Sequence, residues 1–220
     1  MIKPKHNQIF NSLFYRYIEF LIKNNFKEIK IIHNNYINAN VLKNYGTLII
    51  SNHISWWDGF IIYYLNNNLL KKKFYILMLE EQLKKHFYFK YLGAFSIKKK
   101  SRDIINSIDF ISKLLEDHNN IIVFFPQGKI HSQYLTYIKF ESGLRRILEN
   151  IIKPITIIFI AIFFEYLNQK KPTIFCYLSN EILVTSENNK KLIHQKFQEI
   201  QNEYNLFYLN CLENQKKIQI

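Results

Sequence analysis

The sequence predicts an α/β fold, a mostly parallel central sheet flanked by helices and preceded by an N-terminal amphipathic helix. Two observations carry that expectation. From residue 46 onward, short runs of Ile, Leu, Val and Phe recur with helix-length segments between them, and continuous apolar strands alternating with helices belong to parallel sheets covered on both faces. Residues 8–24 place Ile9, Phe10, Leu13, Phe14, Tyr17, Ile18, Leu21 and Ile22 at helical spacing, with Arg16, Glu19 and Lys23 between them. That helix suits either of two settings, packed on the core or lying in a bilayer interface.

The elements follow in order. Thr47–Ser51 reads as a strand and Trp57–Asn66 as a helix. Phe74–Leu79 is a strand, Glu80–Tyr91 a helix and Ala94–Ile97 a short strand. Ser101 can cap a helix running to about Glu116, with Asp103 in the first turn at the positive end of the helix dipole. Ile121–Phe125 is an apolar strand stopped by Pro126, and Glu141–Asn150 is a short helix. Strands at Ile155–Phe163, Ile174–Leu178 and Ile182–Thr185 precede a final helix over roughly Glu187–Leu209. The expected organisation is one domain of 220 residues: a lead-in over 1–45, a core over 46–186, and a C-terminal helix and tail over 187–220.

Composition narrows the function classes. The chain is 48% hydrophobic and 16% aromatic, which excludes disorder. Thirty Lys+Arg against seventeen Asp+Glu give a formal charge of +13, which favours polyanions such as nucleic acid, anionic lipid or phosphorylated substrates. A coding bias toward Lys, Asn, Ile and Tyr would also raise the net charge; Lys71-Lys72-Lys73 and Lys98-Lys99-Lys100 are local clusters beyond it. Nothing matches a nucleic-acid-binding motif, so no nucleic-acid partner is expected. Cys176 and Cys211 form no disulfide framework, no Cys/His group has zinc spacing, and no metal is expected. No signal peptide is read at the N-terminus. The longest apolar stretch, Ile155–Phe164, falls far short of the roughly 20 residues of a spanning helix. A cytoplasmic protein, peripheral on the inner face of the membrane, is the expected setting.

The candidate chemistry centres on His53 and Asp58, in Ser51-Asn52-His53-Ile54-Ser55-Trp56-Trp57-Asp58-Gly59, where a strand breaks into a polar turn and then a helix. A positioned imidazole takes the proton of an attacking hydroxyl, and a carboxylate holds the imidazole in the right tautomer. Spacing alone is a weak signal: with Asp at about 5% of residues, seven histidines give roughly a one-in-three chance of such a pair. The surrounding pattern adds weight. In open α/β sheets the ligand crevice lies beyond the carboxyl ends of the strands. His53 follows one strand, Lys98, Lys99, Lys100 and Arg102 follow another, and Gln127, Gly128 and Lys129 follow a third after Phe125-Pro126. Neither cysteine lies in a nucleophile motif, so direct transfer between bound donor and acceptor is the simpler mechanism. The cationic cluster could bind phosphates, on the acceptor or on a thioester carrier such as coenzyme A, or be a solvated basic loop. Trp56 and Trp57 could line an acyl channel, anchor at a bilayer interface, or pack the start of the helix.

Taken together, these blocks resemble the lysophospholipid (1-acylglycerol-3-phosphate) acyltransferase family. Asn52-His53 and Asp58 match its Asn-His-x4-Asp block. Gly93-Ala94-Phe95-Ser96-Ile97-Lys98-Lys99 loosely matches Gly-x-x-Phe-Ile-x-Arg, Phe125-Pro126-Gln127-Gly128 matches Phe-Pro-Glu-Gly, and Lys153-Pro154-Ile155-Thr156-Ile157 looks like the proline-containing strand. The resemblance covers about residues 40–180. It implies a glycerol-3-phosphate-acyltransferase-like fold at the membrane surface. It also implies that an acyl thioester, acyl-CoA or acyl-acyl carrier protein, is the co-substrate, without a further cofactor. His53 would be the general base and Asp58 its orienter. Lys99 would contact the acceptor's phosphate, and Gln127 and Gly128 would help shape the acceptor site; Lys98, Lys100, Arg102, Phe125 and Pro126 are expected with them as substrate-binding residues.

Three positions depart from the family. Gln127 replaces the usual glutamate, Lys99 replaces arginine and loses bidentate phosphate geometry, and Glu141 stands where a lysine is frequent. The Gln form, with Trp-Trp-Asp-Gly-Phe, resembles a subgroup known broadly as acyltransferases, some in pathways that acylate glycosylated carotenoids. The expected acceptor is thus a lysophospholipid-type hydroxyl, with a glycolipid or glycosylated carotenoid as alternative. A non-enzymatic alternative is a basic protein that binds anionic surfaces and carries decayed acyltransferase motifs.

Overall fold

The structure, a computed structural model, describes residues 1–33, 39–97 and 103–218. Its centre is a sheet in the order β1(Ile29–His33), β7(Thr173–Leu178), β6(Ile155–Glu165), β2(Gly46–Ser51), β5(Asn120–Phe124), β3(Lys73–Leu79) and β4(Ala94–Ile97). The pairs β1–β7, β6–β2, β2–β5, β5–β3 and β3–β4 are parallel. Two pairs are antiparallel: β6 with β7, and β6 with β8(Ile182–Val184), which lies beside the first residues of β6. The sheet is mostly parallel, as the sequence predicts. The reversal at β6–β7 follows from its connection, residues 166–172, which is too short for the dozen or more residues of a parallel crossover.

Strand periodicity assigns the core. Along β6, Ile157, Phe159, Ala161 and Phe163 join one apolar cluster, whereas Ile158, Ile160 and Ile162 join the other. The first face is covered by α5(Asp103–Leu115), α6(Gly143–Asn150) and α7(Lys190–Lys216). Helix α5 presents Ile108, Ile111 and Leu115 to it, a three- and four-residue spacing. Arg146 of α6 grips Asp109 of α5 in a two-pronged ion pair, with the Asn150 amide on the same carboxylate. The opposite face is covered by α1(Gln8–Asn25) and α3(Asp58–Leu65). Asn7 caps α1, its side chain accepting the Phe10 N–H at 2.9 Å.

Several elements differ from expectation. Strand β1 and the short α2(Ala39–Asn44) are additions to the predicted set, because the segment lacks a clean period. The segment expected as one helix over 80–91 is two pieces, α4(Glu80–Lys85) and a 3₁₀ helix Phe87–Leu92, broken at His86. The tighter winding aligns residues three apart, and Phe89 and Leu92 are the two it buries. Gly93 ends it at φ +103°, a left-handed conformation that favours glycine. Helix α7 starts at Lys190, behind the Asn189 cap, and continues to Lys216 because Cys211, Leu212 and Gln215 extend its buried side. The expected Ser101 cap lies outside the described residues.

Helix α1 packs on the core, the first of its two expected settings, and keeps a second apolar face exposed. Phe14, Ile18 and Ile22 are buried on the sheet, while Ile9, Leu13, Tyr17 and Phe20 form an exposed apolar stripe on the other side. Of the Lys71-Lys72-Lys73 cluster, Lys72 is a structural bolt. Its ammonium donates to Tyr45 O and His118 O, both at 2.6 Å, and burial pulls its pKa down to about 8. No helix among the described residues is long and apolar enough to cross a membrane.

Candidate active site

The candidate residues gather at the carboxyl edge of the sheet, where the neighbouring parallel strands β2 and β5 end. Strand β2 delivers Asn52 and His53. The buried Asn52 amide continues the ladder past the end of β2, pairing with Ile162 of β6 in both directions at 2.8 Å. The chain then turns through Ile54–Trp57 into α3, whose first residue is Asp58. Asp58 Oδ2 accepts three hydrogen bonds: from His53 Nδ1 at 2.8 Å, from the Ile54 N–H at 2.7 Å and from the Ser55 N–H at 2.9 Å. The four intervening residues thus wrap one carboxylate oxygen, which is why this spacing brings imidazole and carboxylate together.

The electrostatics are asymmetric. The Asp58 side chain is fully buried, and burial pushes its pKa above the usual carboxylate range, opposed by its hydrogen bonds with His53 and the Ser55 and Ile54 amides. Its Oδ1 is buried with no hydrogen-bond partner among the described residues. Placement at the first turn of α3 favours the anion. His53 is partly exposed and stacks on Phe125, ring centroids 4.3 Å apart and planes 17° apart. With Nδ1 on Asp58, Nε2 is the nitrogen placed to take a proton from a hydroxyl. A stacked aromatic face favours the cation that results.

Strand β5 delivers the second half. Phe125-Pro126-Gln127-Gly128 forms a turn closed by the Gly128 N–H on Phe125 O at 3.1 Å, with Gly128 left-handed at φ +63°. Gln127 is buried, and its Oε1 accepts the His53 N–H at 2.6 Å. The His131 N–H donates to His53 O at 2.9 Å. Pro126 O accepts the Glu141 N–H at 2.8 Å, tying together the ends of a loop over residues 126–141. Pro126 therefore contributes loop closure, and Glu141 joins the loop through its backbone.

Helix α7 holds that loop. Asn205 pairs with Ile138 through both backbone groups, Gln201 accepts the Phe140 N–H, and the Tyr208 hydroxyl donates to Gln133 O. Gln133 pairs in both directions with Phe164 on β6, two residues beyond the partner of Asn52. Sequence reasoning missed these supports. Their only sequence signal is amide and phenol groups on the inward side of an otherwise apolar helix face.

Of the other predicted residues, Trp57 packs edge-on against Phe26 at 5.0 Å and Trp56 against Phe60 at 4.4 Å. Trp56 stays 56% exposed beside the His53 turn. Lys98, Lys99, Lys100 and Arg102 lie outside the described residues; the strand before them, β4, ends at Ile97 on the same carboxyl edge. No group of three or more His, Cys, Asp or Glu suited to a metal occurs among the described residues. Burial raises both thiols, Cys211 to about 12 and Cys176 higher, so neither is a ready nucleophile at neutral pH.

An imidazole–carboxylate couple at paired strand ends, with no activated thiol, is equipment for proton transfer during direct attack by a hydroxyl. A sequence model of the family described as Acyltransferase matches residues 29–163, more than half of the chain. The chain belongs to the acyltransferase family, and it is an acyltransferase. No curated protein sequence matches it. Among solved structures, the 1-acyl-sn-glycerophosphate (LPA) acyltransferase PlsC from Thermotoga maritima is similar, with a TM-score of 0.60 at 13% identity over 96% of this chain and 81% of that one. At that identity the likeness is one of fold.

Proposed function

We propose that this acyltransferase moves a fatty acyl group from an acyl thioester, acyl-CoA or acyl-acyl carrier protein, to a hydroxyl of a lysophospholipid-type acceptor at a membrane surface. The observation that carries the reading is the 2.8 Å contact of His53 Nδ1 with the buried Asp58. His53 Nε2 takes the hydroxyl proton as the oxygen attacks the thioester carbonyl. The C–S bond breaks as the C–O ester bond forms, and the imidazolium returns the proton to the leaving thiolate. Asp58 fixes the tautomer and offsets the charge that His53 acquires. Lys98, Lys99, Lys100 and Arg102 supply the cations for the acceptor's phosphate. The structurally similar PlsC is an LPA acyltransferase, which supports this class of acceptor.

The test is transfer from labelled acyl-CoA and acyl-acyl carrier protein to acceptors presented in vesicles. Labelled ester on a lysophospholipid is the expected product. Gln127 favours the alternative suggested by the Phe-Pro-Gln-Gly subgroup. Ester formed solely on a glycolipid or glycosylated carotenoid would move the acceptor to an uncharged sugar hydroxyl. No ester on any acceptor would defeat the reading.

The stripe of Ile9, Leu13, Tyr17 and Phe20 supports the membrane setting. Phe14 packs on both Tyr17 of the stripe and Phe60, and Phe60 packs on Trp56 beside the His53 turn, so a chain of rings joins the stripe to the site. With Arg16 and Lys23 on the same helix, an anionic surface on the inner membrane face is the proposed docking partner. Leu13→Glu combined with Phe20→Glu removes apolar contact at two exposed positions. Binding to anionic vesicles is expected to fall by about tenfold or more, read by flotation. Unchanged binding would place the docking surface elsewhere.

A further inference from the structure

We propose that Gln127 is a positioning residue that acts through His53, gripping the backbone of the base and keeping a second negative charge away from it. The proposal rests on His53 as the base of the reaction above. Gln127 Oε1 accepts the His53 N–H at 2.6 Å while the His131 N–H donates to His53 O at 2.9 Å. The loop after β5 thus holds both backbone groups of the base, and Phe125 from the same loop holds its ring face. Gln127 is 5% exposed, so its side chain is committed inward. The family resemblance puts this residue at the acceptor; its amide oxygen accepts from the main chain of His53.

The identity of the side chain matters chemically. A glutamine and a glutamate can accept the same N–H. A carboxylate in this buried place would add a second anion beside the His53–Asp58 couple and stabilise the imidazolium. A neutral amide adds no charge beside the couple. The other ionisable groups around the couple come from several elements. Asp58 lies on α3, Lys129 and His131 on the loop after β5, and Glu141 beside Gly128 ahead of α6. Cys176 on β7 and Tyr204 and Tyr208 on α7 interact electrostatically with Asp58. Substitution at 127 leaves all of them in place, so a change in His53 titration reports the introduced charge.

The experiment follows His53 directly by NMR, with ¹³Cε1-labelled histidine and the resonance assigned by its loss in His53→Gln. In Gln127→Glu the His53 titration midpoint is expected to rise by on the order of one pH unit. The acid limb of the pH–rate profile should rise with it. In Gln127→Ala the His53 amide proton should exchange faster, and kcat should fall by about tenfold to a hundredfold with both KM values within about twofold. A Gln127→Glu midpoint equal to wild type would overturn the proposal. So would Gln127→Ala raising the acceptor KM alone, which marks a substrate contact. Should Gln127→Glu fail to fold, amide exchange and the kcat–KM split in Gln127→Ala decide. Absence of acyl transfer by the wild type would remove the reaction, and the titration and exchange readouts would still decide the coupling of Gln127 to His53.

Discussion

His53→Ala is expected to lower kcat/KM for acyl transfer by about 10²–10⁴-fold, the usual contribution of a positioned general base. The loss should fall on kcat, because the imidazole acts on the proton that moves in the transition state. The fold should persist. The His53 ring is partly exposed, and its removal leaves Asp58 with the Ile54 and Ser55 amides. Loss of one hydrogen bond to a buried carboxylate costs about 1–3 kcal/mol, which lowers the melting temperature of a chain this size by several degrees without unfolding it. In the wild type, activity should fall on the acid side as the imidazole protonates, since a protonated base cannot accept the hydroxyl proton. Unaltered turnover in a folded His53→Ala protein would remove the base from the mechanism.

Asp58→Asn separates activity from stability. The amide oxygen can still accept from Ile54, Ser55 and His53, so the geometry survives. A neutral group does not offset the imidazolium charge, and kcat is expected to drop by about 10²–10⁴-fold. Stability should move the other way. Burial raises the Asp58 pKa above its unfolded value, so the ionised carboxyl opposes folding and the protonated one does not. That penalty is absent below the unfolded pKa and grows as pH rises toward the folded pKa, above which it is complete. Asp58→Asn, neutral throughout, should therefore match the wild type in acid and melt at an equal or higher temperature at pH 8. Thermal melts across that range check the sign. A variant that is markedly less stable at pH 8 than the wild type would show that the carboxylate is a net structural asset.

What the sequence revealed, and what it hid, divides by distance along the chain. His53 and Asp58 were legible because one short turn joins them and both bonds needed to wrap the carboxylate come from that turn. The strands of the core were legible because Leu, Ile and Phe fill both faces of a covered sheet. The reversed direction of β7 was not, because a covered apolar strand reads alike in either sense; the short 166–172 connection was the usable clue. The break at His86 was hidden because a 3₁₀ helix and an α-helix share apolar spacing over so few residues. The role of Gln127 was hidden because its partner lies 74 positions away, and no local pattern reports such a bond. The same holds for Asn205, Gln201 and Tyr208, whose bonds to the 126–141 loop span 61 to 75 positions.

Fold and active-site loop are consequently one construction. Strand β6 receives Asn52 at Ile162 and Gln133 at Phe164, so the turn that carries His53 and the loop that grips it are referenced to the same strand. The bonds that Gln127 and His131 make with the His53 backbone depend on that shared reference, because each loop alone would carry its own thermal motion. Helix α7, far from the chemistry in sequence, supports the loop from the covered face of the sheet.

The central claim is that His53 drives direct transfer of the acyl group to a hydroxyl. It is tested most directly by following thiol release and ester formation together, from labelled acyl thioester, in wild type and His53→Ala. Wild type should release one thiol per ester formed, only when acceptor is present, with no label on the protein, and His53→Ala should do neither at a comparable rate. Labelled protein, thiol release without acceptor, or ester formation by His53→Ala at the wild-type rate would contradict it.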